Sequence, residues 1–355
     1  VSVEPAIRCV GVDIAYDDRV VVRGLDLAIA PGEMVVLLGP SGSGKTTILS
    51  AIAGFFPIRG GEIRLSGRLV AAADRHEPPN RRDVAVVFQD YALWPHLSAV
   101  ETVRYPLQRR GLGGTEAGRE ASSVLERLGI AALADRRPSE MSGGEQQRVG
   151  LGRALARHAA VQLFDEPTAH LDAALRERLL VEIADGRRSS GAAGVYATHD
   201  TAEALAIADR VVLIRDGRVA QVGTPREVYE APVDLWSARL TGRASEISAE
   251  LTGWNGGRPD LLVGGVHVRP EADPGSTGAG ASRAGRVVAL VRPDWVGLDG
   301  PLPGTVVQVQ YRGTHTDYVL TTPVGEVAVR RIGPPVASSG DPIGWRLNRV
   351  RLLDL

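Results

Sequence analysis

Gly39-Pro40-Ser41-Gly42-Ser43-Gly44-Lys45-Thr46-Thr47, read with its two flanks, decides the fold of this 355-residue chain. Before it runs Met34–Leu38, a short apolar stretch suited to a buried strand. After it, Lys45 to Ala53 has helical spacing and is closed by Gly54. The stretch between fits G-x-x-x-x-G-K-[ST], a phosphate-binding loop when a strand precedes and a helix follows. Its glycines let backbone N–H groups wrap around phosphate oxygens, and the helix start adds partial positive charge. Lys45 is then expected to reach the β- and γ-phosphates, and the Thr46 hydroxyl to ligate Mg²⁺. A glycine-rich turn that binds nothing is the alternative, and strand, helix and lysine together weigh against it.

Composition sharpens the role of Lys45. Of 41 lysines and arginines it is the sole lysine. The arginine excess fits a GC-rich genome, but the lysine left over marks a place where a compact ammonium fits and a planar guanidinium does not. The formal net charge of −1 argues against wholesale nucleic-acid binding. The single cysteine, Cys9, excludes an internal disulfide and fits a reducing compartment. No stretch approaches the ~18 apolar residues of a membrane span, and Val1-Ser2-Val3-Glu4-Pro5 lacks the features of a signal peptide. Any membrane role is therefore expected through partner chains.

Working outward, residues 3–38 read as short β segments, with Val20–Ile29 alternating and Pro31-Gly32 turning. Helical patterns lie near Val100–Arg110, Arg119–Leu128 and Gly144–Arg157. Val161–Phe164 and Val211–Ile214 are short apolar strands, so helices alternate with strands as in a helix-covered sheet. After about Ser237 the helical period fades. Arg286–Arg292, Thr305–Tyr311 and Tyr318–Thr321 are β-rich, and Asp273–Gly285 is low in bulky residues and expected to be a loop. The chain is therefore read as an α/β P-loop domain over 1–237, with a helical subdomain at about 90–160, followed by an all-β domain over 238–355.

Asp165 ends the strand Val161–Phe164 and is placed to hold Mg²⁺; Glu166 follows at once and is placed to polarise an attacking water. Gln162 is unusual in such a strand and is expected to face a polar neighbour. The most selective stretch is Met141-Ser142-Gly143-Gly144-Glu145-Gln146-Gln147-Arg148. Ser142 with Glu145 makes a helix-starting capping box, while Ser142, Gly143 and Gly144 also offer a hydroxyl and N–H groups to a phosphate.

With these motifs in this order the chain resembles the ABC transporter ATPases. The resemblance implies further roles. Tyr16 looks like the aromatic that stacks on adenine. Gln89, in Val-Phe-Gln-Asp-Tyr, looks like the glutamine that contacts Mg²⁺ and water. Leu171-Asp172 looks like the end of the D-loop, and Thr198-His199-Asp200 like the switch-histidine motif. The nucleotide is then held by Tyr16, the loop Gly39 to Thr47, and Ser142, Gly143, Gly144 and Asp172; the metal by Thr46, Gln89 and Asp165. Glu166, His199 and Gln89 are the catalytic candidates. Tyr91-Ala92-Leu93-Trp94-Pro95-His96 is similar to a segment of importer ATPases near the permease; Tyr91, Leu93 and Trp94 either face a permease or pack locally beneath the loop. The β-rich tail, with Val291-Arg292-Pro293-Asp294 and Tyr311-Arg312-Gly313, resembles the OB-like TOBE domain.

The resemblance implies an importer ATPase at the cytoplasmic face of the membrane, using ATP and Mg²⁺. It implies a head-to-tail pair with a second ATPase subunit, permease subunits and a solute-binding protein, and no nucleic acid. Ferric iron or a polyamine is the expected cargo, with sugars, phosphonates and other solutes open. A soluble ABC ATPase usually has tandem ATPase domains or a coiled-coil insertion, and a kinase or GTPase lacks Ser-Gly-Gly-Glu-Gln. Two departures stand out: Met141 replaces the usual leucine, a volume-conserving change, and Ala169-His170 replaces Ser-Ala in the D-loop, which bears on communication between ATP sites.

Overall fold

The computed structural model describes residues 4–88, 90–169, 171–272 and 284–353. Gln89, His170 and residues 273–283 of the expected loop lie outside the described residues; Gly285 begins a strand, Gly285–Val291. The chain divides into two compact units, Val1–Pro225 and Arg226–Leu355.

In the first unit, among the described residues, one sheet is antiparallel, in the order Arg19–Ile29, Ile7–Tyr16, Gly60–Leu65, Arg68–Ala72, Arg75–His76. The other runs Arg218–Gly223, Arg210–Arg215, Met34–Leu38, Ala193–Thr198, Val161–Asp165, Val84–Val87, parallel except for its first strand. Met34–Leu38, Val161–Asp165 and Ala193–Thr198 are buried at every position. Parallel strands covered on both faces need continuous apolar runs rather than alternation, which is why these were legible. Gln162 is the exception. It is buried, and its Oε1 has no hydrogen-bond partner among the described residues.

Helix α1, Lys45–Ala53, shares one core with both sheets: Ile48, Leu49 and Ile52 pack with Val12 and Ile14 of the first and Leu37, Leu163 and Val195 of the second. Gly54 ends it in the left-handed conformation (φ 88°). Its last turn is also capped by a buried arginine: Arg82 Nη1 donates to Ala51 O at 2.7 Å and Ile52 O at 2.8 Å. Burial lowers the Arg82 pKa to about 10. The helical region holds α2 (Ala99–Arg109), α3 (Gly114–Arg127) and α4 (Gly143–Ala156). These helices pack closely at Gly152, where a Cβ would lie 3.1–3.2 Å from Leu128, Val103 and Val124. Helices α5 (Ala173–Ser190) and α6 (Thr201–Ile207) complete the unit.

The second unit begins within α7 (Pro225–Glu230) and includes α8 (Leu235–Leu240), upstream of the boundary expected at Ser237. The reason is Arg292, which donates to Tyr229 O at 2.7 Å, Ala238 O at 2.7 Å and Gly242 O at 3.1 Å and so binds both helices to the β structure. Among the described residues, one sheet runs Val266–Val268, Arg258–Val263, Ser245–Asn255, Gly285–Val291, Arg349–Leu353, Glu271–Ala272; the other runs Gly325–Ile332, His315–Thr322, Val296–Tyr311, Pro342–Leu347. Ile247, Leu251, Leu290, Tyr318, Leu320 and Trp345 lie in its core. Ser245–Asn255 alternates buried and exposed over its first eight residues, as a sheet with one covered face requires.

Candidate functional site

The loop Gly39–Gly44 leaves the buried strand Met34–Leu38 and enters α1 through two glycines that other residues would strain, Gly42 (φ 79°) and Gly44 (φ 105°). Gly39 is needed for space: a Cβ there would lie 2.5 Å from Ile214 O and 2.7 Å from Ser43 Oγ. The Lys45 side chain folds back into the loop, where Nζ donates to Gly39 O at 2.8 Å and Pro40 O at 3.0 Å. Only 5% of Lys45 is exposed, so burial lowers its pKa, opposed by Glu166 and Asp165. Thr46 Oγ1 donates to Asp165 Oδ1 at 3.0 Å. Burial raises the Asp165 pKa, and the Thr46 hydrogen bond works against that rise. Tyr16 ends its strand with its ring 4.2 Å from Phe56 and its hydroxyl 3.4 Å from Thr47 Oγ1.

Glu166 stands at the turn out of Val161–Asp165. Its φ of 45° is left-handed, uncommon for a residue with a side chain, and its N–H donates to Ala197 O at 3.0 Å. Glu166 Oε1 lies 3.1 Å from His199 Nδ1 and 4.0 Å from Lys45 Nζ. A carboxylate only accepts, so His199 carries its proton on Nδ1 in this contact. His199 is mostly exposed and Glu166 mostly covered. Lys45, Thr46, Asp165, Glu166 and His199 thus meet at one corner, joined by the ends of parallel strands Met34–Leu38, Val161–Asp165 and Ala193–Thr198.

Among the described residues no hydrogen bond or ion pair joins the side chains of Ser142 or Asp172, or Gly143 and Gly144, to that corner. Ser142 and Gly143 are exposed at the start of α4. Glu145 reaches back to accept from Ser142 N (2.7 Å) and Ser142 Oγ (2.9 Å), and these bonds hold its carboxyl below the usual range. A Cβ on Gly144 would meet Leu171 Cδ2 at 3.3 Å, so the helix start lies against the residue before Asp172. Asp172 caps α5 by accepting from Leu175 N at 2.9 Å. Trp94 packs its ring 5.1 Å from Tyr105, under the Arg153 guanidinium at 5.1 Å, which favours the local-packing reading for that side chain.

Two residues behind the corner had no role of their own in the sequence reading. Gln147 of α4 is buried and donates through Nε2 to Pro167 O, one residue beyond Glu166. Glu203 of α6, also buried, accepts from Thr168 Oγ1 (2.5 Å), Tyr196 OH (2.9 Å) and Thr198 Oγ1 (3.0 Å). A signal for Glu203 existed: it sits between two alanines one helical turn after His199, where a surface glutamate is not expected to face inward.

With this geometry in place, comparison with known proteins gives a consistent result. The ABC transporter family model matches residues 22–169 and the TOBE domain model residues 289–350. The Fe(3+) ions import ATP-binding protein FbpC of Rhizobium etli is 41% identical over 340 residues, covering 93% of this chain and 92% of that protein. The spermidine/putrescine import ATP-binding protein PotA of Frankia alni is 42% identical over 335 residues, covering 89% and 71%. The ATP-binding cassette MJ0796, solved as a dimer in a post-hydrolysis state with ADP and Pi, superposes with a TM-score of 0.57 at 29% identity over 62% of this chain and 99% of that one. The chain accordingly belongs to the ABC transporter family, as an ATPase subunit of the importer group in which a P-loop α/β domain is followed by an all-β, OB-like TOBE domain.

Proposed function

We propose that this chain powers solute import by clamping ATP between its own phosphate loop and the Ser142-Gly143-Gly144 turn of a second copy. The reading rests on one observation above others: Glu166 and His199 are hydrogen-bonded at 3.1 Å beside Lys45 and the Thr46–Asp165 pair. The loop N–H groups and Lys45 hold the triphosphate. Thr46 and Asp165 offer the hard oxygen donors that Mg²⁺ prefers, and the buried carboxyl, its pKa raised by desolvation, gains from a nearby cation. Bound there, Mg²⁺ would neutralise phosphate charge. Glu166 orients and deprotonates the water, and His199 holds Glu166 in line. Gln89, Asp172 and Tyr16 complete the set, as metal contact, inter-site contact and adenine platform.

The Ser142–Gly143 turn at the start of α4 is exposed, which supports pairing with a second copy. The MJ0796 cassette, solved as a dimer, supports the same arrangement. A groove of about 940 Å³ lined by Phe55, Phe88, Ala92, Trp94, Tyr105 and Arg153 supports contact with a permease there. Among the described residues no helix is long and apolar enough to cross a membrane, and the reading places the chain peripherally, at the cytoplasmic face, with permease subunits and a solute-binding protein. Fe(3+) and spermidine/putrescine are what the FbpC and PotA relatives import by name, and ferric iron or a polyamine is the proposed cargo.

Glu166→Gln tests the chemistry. ATP binding should persist while the hydrolysis rate falls about 10²-fold or more. Hydrolysis by Glu166→Gln at the parent rate would refute the assignment.

A further inference from the structure

We infer that Glu203 is a positioning residue for ATP hydrolysis, its buried carboxylate tying the segment after Glu166 to the segment before His199. The inference rests on the roles given to Glu166 and His199 above. Thr168 is two residues beyond Glu166, and Thr198 immediately precedes His199. Both hydroxyls donate to the one carboxylate, Thr168 to Oε1 at 2.5 Å and Thr198 to Oε2 at 3.0 Å. Tyr196 OH donates to Oε2 at 2.9 Å, and Arg176 Nε lies 3.4 Å from Oε1. Thr198 also accepts from Asp200 N at 2.9 Å, so His199 is bracketed on both sides by groups bound to one network.

The arrangement answers a mechanical need. Glu166 sits in a left-handed backbone conformation, which is strained for a residue with a side chain and persists only where the surroundings over-determine it. Its partner His199 has a side chain more than half exposed, on the residue that follows the fully buried strand Ala193–Thr198. A single rigid carboxylate joined to both segments sets the distance between the two side chains. Each hydroxyl has one proton and each donates it to Glu203, filling acceptor sites that only a carboxylate supplies in this number. An apolar residue at this 4% exposed position would avoid charge burial but leave three buried hydroxyls without their acceptor.

The test uses the full chain with Glu203→Ala, Glu203→Gln and Thr168→Val, and compares each with Thr168→Ser. A misplacement of reacting groups by about 1 Å costs on the order of 10²-fold in rate. For Glu203→Ala we expect kcat to fall by about 10- to 10²-fold with KM for ATP within about twofold. Glu203→Gln, which keeps length and one acceptor, should recover part of the loss; Thr168→Val should resemble the alanine variant and Thr168→Ser the parent. In a Glu166→Gln background none of these changes should lower the residual rate further. If Glu203→Ala does not fold, Thr168→Val decides by the same kcat and KM criteria. Parent-like kcat in the folded variants, or a loss confined to KM, overturns the inference. If Glu166→Gln itself hydrolyses ATP at the parent rate, it is the underlying assignment that has failed instead.

Discussion

Arg292 in the second unit and Glu203 in the first are both buried charges, yet they are satisfied in different ways. Arg292 donates to the carbonyls of Tyr229, Ala238 and Gly242 and to the Thr241 hydroxyl, and stacks 4.3 Å over the Tyr229 ring. Burial lowers its pKa. Most of its hydrogen bonds end on main chain of its own unit, so it acts as a fastener for α7 and α8. Glu203 instead gathers hydroxyls from the segments that carry Glu166 and His199. A buried charge spent on backbone carbonyls stabilises a fold; one spent on the neighbours of Glu166 and His199 sets a geometry. The first unit thus trades stability for placement at its corner, and the second has no comparable open cluster among the described residues.

The largest test of that contrast is Lys45→Arg. The ammonium fills a niche between two loop carbonyls at 2.8 and 3.0 Å, and a guanidinium is too broad and planar for it. Activity measured as kcat/KM should drop by about 10²-fold or more, with no loss in thermal stability; an unchanged kcat/KM would remove the lone lysine from the mechanism. Arg292→Met should do the reverse. It strands several buried carbonyls and should lower the stability of the second unit by roughly 2–4 kcal/mol, while ATPase kcat per folded protein changes less than about twofold. Four of the five tryptophans, Trp236, Trp254, Trp295 and Trp345, lie in that unit, so tryptophan emission during thermal unfolding reads the loss.

Asp317 gives the smallest effect. Arg330 donates to it at 2.7 Å, with Arg312 and His315 nearby, and these contacts hold its pKa below the ordinary 3.8. A depressed folded pKa means that the stabilisation is fully present above the unfolded value and is lost as pH falls through the folded one. At pH 5, where the carboxylate is ionised folded and unfolded, the parent should therefore exceed Asp317→Asn by about 1 kcal/mol. The difference should shrink as pH drops below 3.8. A gap that widens below pH 3.8 would contradict the network.

Much of this could be read from the chain. The run Met34–Leu38, the loop Gly39–Thr46 and helix α1 were legible because each signal is local: an apolar strand, glycines at forced backbone angles, a helix with helical spacing. Helices α2, α3 and α4 came out within a residue or two of their expected bounds, except that α3 starts earlier, at Gly114. Asp165 and Glu166 were visible as carboxylates at a strand end. The strands of Ser245–Val268 and helix α5 were missed, because alternation in a short twisted sheet and a polar helix surface leave weak periods.

Residue identity and spacing by themselves thus determined the nucleotide-binding class of the first unit and the β character of the second. Only the tertiary structure decided that Arg292 carries α7 and α8 into the second unit, that Gln162 stays buried with an unbonded oxygen, and that Glu203 joins Thr168 to Thr198. The physical reason is sequence separation. A hydrogen bond between positions 168 and 203, or 292 and 238, depends on where packed strands and helices bring the chain back on itself, and no local pattern of side chains encodes that return.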